Sequence, residues 1–179
     1  MKDNNKQHRL DATYINMCKD LANLSYAKRA QVGCLIVSDD GQIISNGYNG
    51  TPSGFDNCCE DKHCTCKWHH GCQYTTKSVA DMQMDFCVTA ADGYPCDKLK
   101  LTTKYEVLHA ESNAIAKCAK WGGRTEGSTL YVTLSPCFEC AKLIIQAGIK
   151  RVVYKDEYRD ITGLELLRKA NIDVVKYGE

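Results

Sequence analysis

From residue 109 to its end the chain alternates segments of helical period with short apolar runs, and this alternation restricts the fold more than any other feature. It predicts a helix over 109–120, a strand "TLYVTLS", a helix from about Pro136 to Ala147, a strand "RVVYKD", a helix over 162–170 and a last strand "DVVKY". Upstream, Leu10, Tyr14, Met17, Leu21 and Leu24 recur at helical spacing after a polar start, with Asp11 available as a cap. "VGCLIVSDDGQIISNGYN" then reads as two strands around an Asp40–Gly41 turn. A hairpin followed by alternating β and α elements implies an α/β protein in which helices cover both faces of a mixed sheet.

The stretch 50–108 breaks this order. It has no clean period and holds seven of the twelve cysteines and three of the five histidines, so it reads as a Cys/His-rich, loop-rich insert. The whole of 1–179 is expected to form a single domain around it, because 44% hydrophobic residues in a chain of 179 can fill one core without staples.

Charge narrows the partner. With 23 basic and 22 acidic residues the chain offers no general field to hold duplex nucleic acid, and no basic cluster marks a groove for a single strand. A small molecule is the expected partner. The polar N-terminus and the brevity of the longest apolar run, about "CLIV", give no sign of a secretion signal or a membrane span, so a cytoplasmic location is expected. In that compartment cysteines read as thiols and metal ligands rather than disulfides.

Two motifs carry chemistry. "SPCFEC" places Cys137 and Cys140 three apart at the start of a helix, with Pro136 suited to the first helical position and Ser135 to the N-cap. The helix dipole and the free N–H groups there favour thiolate, the form that binds a metal. His109 likewise opens a helix, in "VLHAESNAIAKCAKW". One histidine and two cysteines give zinc three ligands and leave a fourth position for water, as catalytic sites require. Glu111, within the same first turn, can reach that water without ligating the metal.

The order H-x-E followed by P-C-x-x-C is the signature of zinc nucleobase deaminases. More closely, "VGCLIV", "GYNGTPSG", "HAESNAI" and "YVTLSPCFECAKLIIQAGIKRVVY" resemble the deoxycytidylate (dCMP) deaminases of phages and cells, over most of 32–56 and 105–158. The resemblance implies a three-layer α/β/α cytidine-deaminase-like fold with a mixed central sheet of about five strands. It implies hydrolysis of dCMP to dUMP and ammonia, which supplies the dTMP pathway, with catalytic zinc on His109, Cys137 and Cys140. Glu111 is then the acid and base that moves protons between water, the ring N3 and the departing amine. Asn49 matches a position expected to contact the nucleoside, Ala110 and Ser135 flank the ligands as base contacts, and Tyr158 and Arg29 are candidates for the sugar–phosphate end. Two alternatives stay open: a deaminase of another base, and a zinc-stabilised nucleotide sensor without turnover. Glu111 argues against the sensor, which has no use for an acid beside an open metal position.

Two further expectations concern the insert and its approach. Residues 58–72, "CCEDKHCTCKWHHGC", concentrate five cysteines and three histidines, and a second, structural zinc is expected on four of Cys59, Cys64, Cys66, His70 and Cys72. In "GYNGTPSG" three glycines let successive N–H groups converge on a phosphate. The resemblance makes this region, with Asn49, Gly50 and Gly54, part of an allosteric site for dCTP as activator and dTTP as inhibitor, the triphosphate carrying magnesium, in a homo-oligomer, commonly a hexamer.

Overall fold

The computed structural model describes residues 4–64, 74–79, 82–87 and 99–178. They fall into two compact units, one formed by Met1–Cys59 with Glu106–Glu179 and the other by Glu60–Tyr105. Residues 50–59 and 106–108 thus belong with the first unit.

That first unit is built on one sheet. Its strands are β1 (Gly33–Val37), β2 (Ile43–Tyr48), β7 (Thr129–Leu134), β8 (Arg151–Asp156) and β9 (Asp173–Lys176), in the order β2-β1-β7-β8-β9. The hairpin strand β1 pairs antiparallel with both β2 and β7, whereas β7, β8 and β9 run parallel. Parallel neighbours need crossovers, and the helices α3 (Phe138–Gln146) and α4 (Thr162–Lys169) supply them. The fold is the expected mixed five-stranded sheet of the cytidine-deaminase-like class, with helices on both faces.

Every residue of β1 is buried, and alternate side chains serve opposite layers. Leu35 and Val37 join Ile15, Cys18, Tyr131 and Val153 beneath α1 (Asn4–Ala22). Cys34 and Ile36 face the other layer, where α2 (Ala110–Lys120), α3 and α4 contribute Ala110, Ala114, Ala141, Ile144, Leu164 and Leu167. Helix α2 lies close on β2, since a Cβ at Gly47 would meet the Ala110 carbonyl oxygen at 2.2 Å. Ser45 Oγ fixes the contact by donating to the Ala114 carbonyl at 2.7 Å. The glycine therefore sets the depth at which the start of α2 sits.

Asp11 does not cap α1, which begins at Asn4. Its carboxylate points into the layer interface and accepts from Arg151 of β8, Tyr131 of β7 and Gln7. Among the described residues no buried side-chain N or O lacks a hydrogen-bond partner, and no helix is long and apolar enough to cross a membrane.

In the second unit β3 (Glu60–Cys64) pairs antiparallel with β6 (Leu99–Thr103), and β4 (Tyr74–Val79) with β5 (Met82–Cys87).

Candidate active site

Helix α2 begins at Ala110 with His109 as an extended N-cap, and α3 begins at Phe138 with Cys137 in the same role. Neither side chain caps its own helix. They converge instead: His109 Nδ1 lies 3.4 Å from Cys137 Sγ and 3.5 Å from Cys140 Sγ. All three ligand atoms lie within 4.8 Å of one another, the one such grouping among the described residues.

The dimensions can be tested against an ion. A tetrahedral zinc with Zn–S of about 2.3 Å and Zn–N of about 2.0–2.1 Å separates N from S by about 3.5 Å. The triangle has that size, and its three donors leave one coordination position for water. His109 is exposed, Cys137 half-buried and Cys140 buried, so the open side faces His109.

The helix begins later than the residue pattern predicts. Pro136 and Ser135 precede the N-cap rather than occupying the first helical and capping positions, because Cys137 stays extended to meet His109. Ser135 has other work. Its buried hydroxyl accepts from the Tyr158 N–H at 2.8 Å, while its own N–H donates to the Asp156 carbonyl at 2.9 Å.

The site is electrostatically prepared. The bond with Cys140, against burial and with help from His109, brings the Cys137 thiol down to about 4, so it is ionised at neutral pH. That same bond, then burial and the charge of Glu111, drives Cys140 up. His109 is raised, first by its bond to Cys137, against burial. Glu111, in the first turn of α2 and 4% exposed, is pushed up by burial to about 7, although His109 and a hydrogen bond with Cys140 pull it down. A carboxyl poised there can both take and give a proton near neutrality.

Ala110 is fully buried at the start of α2. Tyr158 is half-buried, with the Arg159 guanidinium 5.8 Å from its ring centroid. The Asn49 amide is committed at both ends: Oδ1 accepts from Val32 N–H and Nδ2 donates to the Ala30 carbonyl, each at 2.8 Å. Asn49 thereby ties the end of β2 to the loop carrying Arg29, whose side chain is exposed.

Next to Asn49, Gly50 pairs with Leu108 through two backbone hydrogen bonds, one residue before His109. Gly50 also lines a cavity of about 410 Å³, shared with Tyr48, Asn113, Lys117, Lys120 and Trp121. Gly54, at φ +94°, is outside that lining. Sequence reasoning passed over Asn113, Lys117 and Lys120. Their signal was only spacing: they recur on one face of α2 beginning four residues after His109. The Asn113 amide donates to the Tyr48 carbonyl at 2.9 Å, and Lys117 Nζ stands 5.2 Å from the Tyr48 ring centroid.

Of the insert's candidate ligands, Cys59 is buried in a small cluster with Ala27 and Val107. Cys64 is described only as the last residue of β3, and Cys66, His70 and Cys72 lie outside the described residues.

The chain matches the family model for the cytidine and deoxycytidylate deaminase zinc-binding region over residues 8–156. It is 38% identical to the deoxycytidylate deaminase of Enterobacteria phage T4 over 152 residues, covering 78% of this chain and 75% of that one. Identity to human deoxycytidylate deaminase is also 38%, over 141 residues, which is 78% of this chain and 61% of that protein. A crystal structure of dCMP deaminase from the cyanophage S-TIM5, in complex with dCMP and dUMP, superposes with a TM-score of 0.68 at 34% identity and covers 98% of both chains. With the family model spanning most of its length and its His-Cys-Cys triangle intact, this chain belongs to the zinc-binding cytidine and deoxycytidylate deaminases and is an enzyme of that family.

Proposed function

We propose that this protein hydrolyses dCMP to dUMP and ammonia, with zinc held by His109, Cys137 and Cys140. The observation that carries the reading is the buried Glu111 carboxyl against Cys140, poised near neutrality, in a chain that spans a phage dCMP deaminase solved with dCMP and dUMP. Zinc bound to the triangle supplies a Lewis acid that makes water a nucleophile at neutral pH. Glu111 takes a proton from the attacking water and delivers it to N3 of the cytosine ring. It then takes the proton of the new C4 hydroxyl and hands it to the amine, which departs as ammonia when the C4–N bond breaks and leaves the C4 carbonyl of dUMP. Burial serves both duties by keeping its charged form costly.

Ala110 and Ser135 meet the base, while Tyr158 and Arg29 meet the sugar–phosphate end. Asn49 uses one of its amide's two N–H groups and one of its oxygen's two lone pairs on the backbone, so it holds the Arg29 loop and keeps hydrogen-bonding capacity for the nucleoside. A spectrophotometric assay with dCMP, dCTP, cytidine and guanine tests the assignment. Turnover of dCMP above the other three is expected, and preference for guanine or cytidine would replace it with the deaminase of another base. Zinc binding with no turnover of any of them would favour the sensor.

We further propose regulation by dCTP as activator and dTTP as inhibitor in a homo-oligomer, read as a hexamer from the family resemblance. The cavity beside Gly50 supports it, because Lys117 and Lys120 bring cations that, together with magnesium, offset the charge of a triphosphate, and Trp121 and Tyr48 offer aromatic faces to a base. We also propose a second, structural zinc in the insert on four of Cys59, Cys64, Cys66, His70 and Cys72, and a cytoplasmic location for the protein.

A further inference from the structure

The turn that presents the two cysteines rests on α4. A Cβ built on Gly163 would stand 2.2 Å from the Pro136 carbonyl oxygen, 2.8 Å from the Cys137 carbonyl carbon and 2.9 Å from its oxygen. Ordinary contact begins at 3.4 Å, so a methyl group there demands a displacement of about 1 Å. Neither side yields cheaply. One is main chain, and the other is a helix anchored by Leu164 and Leu167, 1% and 0% exposed, in the core between α3 and the sheet.

The Cys137 carbonyl oxygen is also the acceptor for Ala141 N–H at 2.9 Å, closing the first turn of α3. Pushing that carbonyl therefore tilts the turn bearing both Cys137 and Cys140, against ligand separations of only 3.4 and 3.5 Å from His109. The opposite end of the β8–α4 connection is fastened to the same turn through Ser135, which exchanges hydrogen bonds with Asp156 and Tyr158. Residues 156–163 and the cysteine turn are thus joined at two points.

We propose that Gly163 is a positioning residue of the metal site: the absence of its side chain lets α4 seat directly on the Pro136 and Cys137 carbonyls and fixes the cysteine turn facing His109. The proposal rests on the reading of His109, Cys137 and Cys140 as zinc ligands. It makes α4, which contributes no ligand, a determinant of metal affinity.

The test compares wild type, Gly163→Ala and Leu167→Val by chelator-competed zinc affinity and by the thiolate-to-metal absorption of the cobalt-substituted protein. Gly163→Ala should weaken zinc binding by about 10- to 100-fold and shift the cobalt spectrum. Leu167→Val loosens the same helix without touching the turn and should keep zinc affinity within about twofold. Amide hydrogen exchange of the wild type provides a reading that needs no variant: adding zinc to metal-free protein should slow exchange in 161–167 together with 136–141. Wild-type zinc affinity and cobalt spectrum in Gly163→Ala would overturn the proposal. So would an equal loss of affinity in Leu167→Val, or exchange in α4 that is indifferent to zinc. A wild-type protein that binds no zinc would sink the ligand assignment and this inference with it.

Discussion

Arg151 donates two hydrogen bonds to Asp11, Nη1 to Oδ1 at 2.8 Å and Nη2 to Oδ2 at 2.7 Å, joining β8 to α1 across 140 residues of sequence. The pair is largely buried, and Tyr131 and Gln7 complete the carboxylate's shell. Replacing Asp11 with Asn removes the buried counter-charge and leaves the guanidinium only the exposed Asp173, 3.1 Å from its Nε, and should cost about 2 kcal/mol in urea unfolding at neutral pH. Burial alone would raise the Asp11 carboxyl, but the hydrogen bonds from Arg151, Gln7 and Tyr131 outweigh it and hold it below its ordinary value of 3.8. The stabilisation is therefore complete above that value and fades as pH falls below it. An Asp11→Asn protein with the wild-type urea midpoint would show that the bridge contributes nothing.

Glu111→Gln should retain the zinc and lose turnover by about 10²–10⁴-fold, because an amide of the same shape cannot carry protons. Metal content by elemental analysis and dCMP turnover decide this together. A zinc-loaded variant with normal activity would remove Glu111 from the mechanism. Replacing His109, Cys137 or Cys140 with Ala should instead empty the catalytic site, and full occupancy after any of these changes would mark a wrong ligand.

Glu111 also predicts how metal-free protein responds to pH. Burial lifts its carboxyl from 4.5 to about 7, so the folded state binds the proton more tightly than the unfolded chain. The sign is destabilising with rising pH: stability is highest below the unfolded value and falls by about 3 kcal/mol as pH climbs through the folded one. Denaturant midpoints of metal-free wild type should decline between about pH 5 and about pH 8, and those of metal-free Glu111→Gln should decline less. Identical slopes would mean that the carboxyl is solvated in solution.

Regulation predicts sigmoidal dCMP kinetics that dCTP makes hyperbolic and dTTP suppresses, since an effector must prefer one state of the assembly. Gly50→Ala meets nothing within 4 Å and tests occupancy of the cavity alone, whereas Gly54→Ala strains a backbone at φ +94°. Both should blunt the response to triphosphates more than they weaken zinc binding, as should Lys120→Ala. Hyperbolic kinetics indifferent to dCTP and dTTP in an intact oligomer would leave catalysis standing and remove the regulation.

The insert predicts zinc beyond the catalytic ion. Elemental analysis should give about two zinc per chain, falling to about one in Cys137→Ala. One zinc in the wild type would reject the structural site.

The sheet was legible because its strands are short apolar runs between helical segments, and β8 has the bounds its pattern predicts. The convergence of His109 with Cys137 and Cys140 was legible because H-x-E followed by P-C-x-x-C, each half opening a helix, matches the zinc deaminase signature. What escaped was long-range. Asp11 looked like a cap because polar residues precede it, but its partner Arg151 is far along the chain and no local pattern announces it. The start of α3 was misjudged because proline and serine favour the positions assigned to them, while the convergence on His109 keeps Cys137 extended. Lys117 and Lys120 were passed over because helical spacing alone does not show that Gly50 and Tyr48 line a cavity beside them. The insert reads as loop-rich because β3 and β4 carry little apolar alternation, although β5 (Met82-Gln83-Met84-Asp85-Phe86) and β6 (Leu99-Lys100-Leu101-Thr102) do alternate and were missed.

His109 and Cys137 each occupy a place where Ser, Thr, Asp or Asn would strengthen a helix by about 1 kcal/mol, and neither makes a capping bond. Chemistry and robustness therefore compete for the same two positions. Selection for hardiness alone would replace His109 and Cys137 among the first, and with them two of the three proposed zinc ligands. An effort to stabilise this scaffold while keeping it active must look elsewhere, at the far ends of α2 and α3 and along α1.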